Sequence, residues 1–217
     1  MYLLREFYQK SFINYGDYAG KHPEQLRHMT FISGHFGYDY VKDLMQSRYS
    51  FTFLRHPGER ILSLFYFYLT RNPDQFPVYR LAQECSLEEF LEVGLKAGLV
   101  KEHIWNHQTW QLAHGWGSLS GKTLEDFGSD EILDMAMSHL QDFSYIGLTE
   151  TFDADCRNIL RALKINFPEK MAVVNATGPK LSVKDVSPLA RALLEELTCL
   201  DRKIYDAVLV QRWRNNG

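Results

Sequence analysis

Arg55 closes an aromatic and β-branched run, Tyr49 to Leu54, and is followed at once by His56-Pro57-Gly58 and then by Ser63. Pro57 suits the first turn of a helix, because the N–H it lacks would have no partner there in any case. The pattern predicts an arginine at the carboxyl end of a strand, a helix directly after it, and a hydroxyl two turns into that helix. In outline this is an anion site. Open α/β sheets take ligands beyond the carboxyl ends of their strands, and a helix N-terminus adds unpaired N–H groups and partial positive charge. Arginine holds a phosphate through two parallel charge-assisted hydrogen bonds, which lysine cannot do. Helical side chains lean toward the N-terminus, so the Ser63 hydroxyl reaches the same anion from the flank. The alternative is that Arg55 pairs with an acidic neighbour and Ser63 faces polar surface.

Other chemistry finds less support. His103 and His107 stand four residues apart and fit one helix face, but no third ligand lies near them and His-Glu-x-x-His is absent, so no metal is expected. Cys85, Cys156 and Cys199 are odd in number, far apart and without CxxC spacing, which predicts buried thiols rather than a disulfide framework or a zinc site. A net charge of −3 and a pI near 6.2 argue against a nucleic-acid partner. The longest apolar run, Ile61 to Leu69, is about half of what spans a bilayer. No charged-then-apolar signal opens the chain, which as written reads as soluble and cytoplasmic.

The elements that must position these residues alternate between strand and helix. Tyr2 to about Ile13 has helical period but no capping residue before it. Met29 to Ser33 reads as a short strand ending in Gly34-His35, and Tyr49 to Leu54 as a second. A helix from Pro57 to about Thr70 follows, with the aromatic band Phe65 to Tyr68 read as core. Ser86-Leu-Glu-Glu89 has the form of a capping box and predicts a helix to about Ala97. Asn106 to Leu112 reads as helical, Gly115 to Ser129 as a surface loop and Glu131 to Leu140 as helical again. Tyr145 to Thr149 is a strand and Asp153 caps a helix to about Leu163. One amphipathic helix from near Pro188 carries Leu193, Leu194, Leu197, Leu200, Ile204, Tyr205 and Val208 at core spacing. Together these predict a single α/β domain over residues 1–217 with a mainly parallel sheet.

Arg55-His-Pro-x-x-Arg60-x-x-Ser63 after an aromatic strand resembles the 3′-phosphate-binding motif of the family-2 sulfotransferases, among them the heparan sulfate 2-O- and 6-O-sulfotransferases. Ser86-Leu-Glu-Glu-Phe90, Asn106-His-Gln-Thr-Trp-Gln-Leu112, Tyr145-Ile-Gly-Leu-Thr-Glu-x-Phe152, Asn175-Ala-Thr177 and Leu200-Asp-x-x-Ile-Tyr205 resemble further segments of that family in the same order. The resemblance runs from about Ile32 to the C-terminus. It implies a P-loop-like three-layer α/β fold, the co-substrate 3′-phosphoadenosine-5′-phosphosulfate, no metal, and a carbohydrate or glycan hydroxyl as acceptor. Arg55 and Ser63 would hold the 3′-phosphate, and Lys180, in the loop Asn175 to Lys180, would add a second contact. Ile32-Ser-Gly-His35 is similar to the segment that supplies a catalytic base in the 2-O-sulfotransferases, which makes His35 the candidate to take the acceptor's proton. Asn106 and Gln108 become candidate substrate contacts. Arg60 either faces the ligand or braces Glu59 and the sheet, and the bracing role is preferred.

The family's Pro-Lys-Thr-x-x-Thr-like loop, which holds the 5′-phosphosulfate, has no counterpart here, and neither has a Walker-type loop. The uncapped first helix resembles the one that should follow that loop, so the chain is expected to lack the first strand, and a start upstream of Met1 is expected. The rival expectation is a nucleotide-binding or interaction module that no longer catalyses. A small-molecule kinase would need the phosphate loop and a magnesium-binding acid, and neither is apparent. Many eukaryotic relatives hang from a Golgi membrane by an N-terminal helix.

Overall fold

The computed structural model describes Leu4, Tyr8 and residues 12–13, 21–96, 98–166 and 181–216. These are mostly helical, with a small parallel sheet. The chain forms two compact units, the first from residues 1–52, 110–147 and 153–172, the second from 53–109, 148–152 and 173–217.

In the first unit β1 (Phe12–Ile13) pairs in parallel with β2 (Phe31–Ile32), Phe12 opposite Phe31 and Ile13 opposite Ile32. Helix α1 (Tyr38–Met45) turns Tyr40 and Leu44 inward onto Leu26. The Arg48 guanidinium donates to the carbonyls of Met29 at 2.7 Å and Arg27 at 2.8 Å, using a long cation to close the segment before β2. Strands β3 (Phe51–Leu54) and β4 (Tyr145–Leu148) form a second two-stranded sheet.

The second unit is built on α2 (Pro57–Leu69), whose buried Ile61, Leu62, Phe65 and Tyr68 recur at helical spacing. Proline opens the helix and the His56 ring caps it, Nδ1 accepting the Glu59 N–H at 3.4 Å. Against this stripe pack α3 (Pro77–Glu84), α4 (Leu87–Lys96), α5 (Leu99–Ile104) and α9 (Pro188–Leu197), the last counted after α6 (His107–Ala113), α7 (Ser129–His139) and α8 (Phe152–Ala162). Each fully buried Leu, Ile or Phe of this core contributes about 1.5–3 kcal/mol. Phe65 and Phe90 meet at 5.2 Å between ring centroids, which seats α4 on α2. The Ser86 capping box forms as its spacing predicts, with Ser86 N–H to Glu89 at 2.7 Å and Glu89 N–H to Ser86 Oγ at 3.3 Å. Gly94 lets α4 approach α5 closely, since a Cβ there would stand 2.2 Å from the Ile104 side chain.

The single C-terminal helix expected from periodicity is two, α9 and α10 (Cys199–Asn216). Thr198 breaks it, at φ −121° and ψ 18°. The cause is remote in sequence. Asn106, at φ 41°, donates its N–H to the Leu197 carbonyl at 2.7 Å, and its Oδ1 accepts the N–H groups of Leu200 at 2.7 Å and Asp201 at 3.1 Å. Those contacts end one helix and begin the next. The expected thiols divide: Cys85 and Cys156 are half-buried, whereas Cys199 at the start of α10 is exposed. No helix among the described residues is long and apolar enough to cross a membrane.

Candidate functional site

Arg55 lies just past the end of β3, and one side chain clamps its backbone from both sides. Gln108 Oε1 accepts the Arg55 N–H at 2.9 Å, and Gln108 Nε2 donates to the Arg55 carbonyl at 3.0 Å. The Gln108 N–H in turn donates to Asp201 Oδ2 at 3.3 Å, while the N–H and hydroxyl of Thr109 donate to Asp201 Oδ1 at 2.6 and 2.7 Å. Asn106, Gln108, Thr109 and Asp201 are all buried. Burial pushes the Asp201 carboxyl above its ordinary value, against the pull of the Thr109 donors and the Arg60 charge.

The backbone of Arg55 is therefore fixed while its side chain is not tied down. Its half-buried guanidinium makes no hydrogen bond or ion pair with the described residues. Nearby in the sequence, Glu59 accepts the Val183 N–H at 2.9 Å, and in the same unit Glu150 accepts the His56 N–H at 2.7 Å. A second cation adds to the charge. Arg60 donates to the His103 carbonyl at 3.1 Å, and its guanidinium is pushed down by burial and, in smaller part, by the charge of Arg55. Arg60 thus braces α5 rather than Glu59. Ser63, half-buried, stands two turns into α2.

The helix N-terminus itself differs from expectation. Of the N–H groups expected there to be unpaired, Glu150 takes that of His56 and the His56 ring takes that of Glu59, while Arg60 N–H makes the ordinary first-turn bond to the His56 carbonyl at 2.9 Å. At Gly58 a Cβ would meet the Val183 side chain at 2.7 Å, so Val183 covers this turn. The Tyr205 hydroxyl is pushed up to about 12 by burial and then by the Glu150 charge, and the Tyr205 ring meets the His56 ring edge-on at 5.9 Å between centroids.

The two histidines considered as a metal pair face different partners. His103 Nδ1 meets the Tyr68 hydroxyl at 3.1 Å and His107 Nδ1 meets the Glu102 carbonyl at 2.8 Å. Burial, then the Arg60 charge, pushes His103 down to about 4, so it is neutral at pH 7.

The amides of Asn106 and Gln108, expected to reach substrate, are instead used up inside the second unit: both side chains are buried and hold backbone. His35 is exposed in the bend between β2 and α1, in the first unit. Lys180, with the loop Asn175 to Lys180, lies outside the described residues. Sequence reasoning assigned no role to Asp201 or Glu150. For Asp201 a signal existed: it falls among Leu197, Leu200, Ile204 and Tyr205, a carboxylate within an apolar stripe, which is tolerated only where donors await it. No family model, no curated protein and no solved structure matches the chain.

Proposed function

We propose that the chain carries the 3′-phosphate half of a donor site for 3′-phosphoadenosine-5′-phosphosulfate and belongs to a sulfotransferase acting on a carbohydrate hydroxyl. One observation carries the reading: Arg55 offers a guanidinium without a protein partner among the described residues, on a backbone locked by Gln108 and beside a second arginine. A guanidinium without a protein partner is open to a ligand, and a phosphate matches its fork. The ordered series of family-like segments supports the same assignment, as does Ser63 on α2. The three-layer sheet of that family is part of the proposal.

In this reading Arg55 and Ser63 hold the 3′-phosphate, and Lys180 adds to it. The acceptor oxygen forms a bond to sulfur as the bond from sulfur to the 5′-phosphate oxygen breaks. The hydroxyl proton passes to a general base, the role the resemblance gives to His35, and adenosine 3′,5′-bisphosphate leaves. Histidine suits the base role because its ordinary pKa lies near neutrality. Most of the rate in such in-line transfers comes from positioning and from neutralising the leaving group. A second reading is nucleotide binding without transfer.

Calorimetric titration tests the core of the reading. Adenosine 3′,5′-bisphosphate should bind in preference to adenosine 5′-monophosphate, and Arg55→Ala should weaken the bisphosphate by about a hundredfold, the worth of a bidentate charge-assisted contact. Equal binding of both nucleotides by a folded wild-type chain would sink it. Sulfate transfer to a glycan by the wild type would then separate the enzyme from the binding module.

A further inference from the structure

We infer that Gln108, held in turn by Asp201, is the positioning residue that aims the Arg55 guanidinium at the 3′-phosphate; this rests on the donor-site reading above. Arg55 leaves β3 at the point where ladder hydrogen bonds end, and such a residue ordinarily has loose φ and ψ. Here its N–H and its carbonyl are both bonded to a single buried amide, at 2.9 and 3.0 Å. A primary amide is the one neutral side-chain group that can accept from and donate to the same residue in this way, as a partner strand would. The clamp therefore extends the strand's geometry by one residue, onto the residue whose side chain is left for a ligand.

The amide has no freedom to drift. Gln108 is at the start of α6, its N–H is bonded to Asp201, and Asp201 also takes both donors of Thr109. Asp201 lies in the first turn of α10, whose N-terminal N–H groups are capped by Asn106, two residues before Gln108. The path closes on itself: Asn106 seats α10, α10 delivers Asp201, Asp201 fixes Gln108, and Gln108 fixes Arg55. Asn106, Gln108, Thr109 and Asp201 are buried, and the half-buried Arg55 side chain at the end of the path makes no hydrogen bond or ion pair with the described residues. Ligand-contacting groups must be held to within fractions of an ångström to be effective, and such support is what a buried amide supplies. Neither Gln108 nor Asp201 touches the nucleotide in this account.

Gln108→Met keeps the length and volume of the side chain while removing both hydrogen bonds, and is the variant to make. Its affinities for adenosine 3′,5′-bisphosphate and adenosine 5′-monophosphate should be measured by calorimetry beside the wild type, with thermal melting as a check on folding. The expected result is a bisphosphate affinity about tenfold lower with monophosphate affinity unchanged, because only the Arg55 contact is misaimed. A merely structural role would weaken both nucleotides alike, and that outcome, or an unchanged preference in a folded variant, overturns the inference. Should Gln108→Met not fold, Gln108→Glu, which keeps the acceptor for the Arg55 N–H but turns a second acceptor toward the Arg55 carbonyl, is read by the same ratio. A wild type with no preference for the bisphosphate is a different failure: it removes the donor-site reading itself.

Discussion

Two aspartates, one in each unit, are shifted in opposite directions, and the reason lies in what each was given as a partner. Asp39 of the first unit loses water to burial, but it accepts hydrogen bonds from Lys42 at 2.7 Å and from the Ser118 hydroxyl at 2.5 Å. These outweigh burial and hold it below the ordinary carboxylate range. Asp201 of the second unit is offered only neutral donors at hydrogen-bond distance, with Arg60 as a more distant charge, and burial wins. Asp39 sits in a chain that runs through Ser118 and Ser120 to His114 Nε2, with Lys42 and Ser120 open to solvent. The Asp201 ring is closed off and ends in backbone. The first unit uses its acid in a surface ion pair, whereas the second uses its acid for geometry and leaves Arg55 without a counter-ion among the described residues.

The comparison breaks most easily at Asp201. Asp201→Ala leaves three buried donors without an acceptor, and the loss in urea unfolding should be about 3 kcal/mol or more. A loss under about 1 kcal/mol would mean that water replaces the carboxylate and that the ring is not the framework described.

His103, on the other side of Arg60, gives the intermediate effect. Its pKa is depressed, so the unfolded chain binds a proton between its ordinary value near 6.5 and about 4, where the folded chain does not. Stability should therefore fall as pH falls through that window, by about 2 kcal/mol between pH 7 and pH 5. Asp201, shifted up, works in the opposite sense, so the contribution is read as the difference between wild type and His103→Gln. Parallel pH profiles for the two chains would contradict it.

Smallest of all should be Asp39→Asn. The Lys42 side chain is 46% exposed and Asp39 21%, which places the pair among surface bridges worth under about 1 kcal/mol. Denaturation of this variant in low and high salt should show that even this small loss is screened. A loss as large as that of Asp201→Ala would erase the distinction between the two units.

What the sequence determined by itself is local. Pro57 and the Ser86 capping box act within a few residues, and both helices start where those signals stand, α2 ending at Leu69 and α4 at Lys96. The apolar positions from Leu193 to Val208 are buried as their spacing requires. Helix α1 was not legible, because Gly37 caps it without a side-chain bond. The rest depended on residues that meet only in the folded chain. Periodicity continues unbroken through Thr198, and the division there is imposed by Asn106 from more than ninety positions away. The anion-binding outline around Arg55 is written in one stretch of sequence. Which of its donors are taken by protein was decided by Glu150 and Gln108, which reach it from two other stretches, while Val183 donates to Glu59 from a third. Hydrogen bonds of caps and turns close over short loops and so leave their signature in neighbouring residues. A buried carboxylate or amide is satisfied by whatever donors the packing brings to it, and that pairing has no local spacing to read.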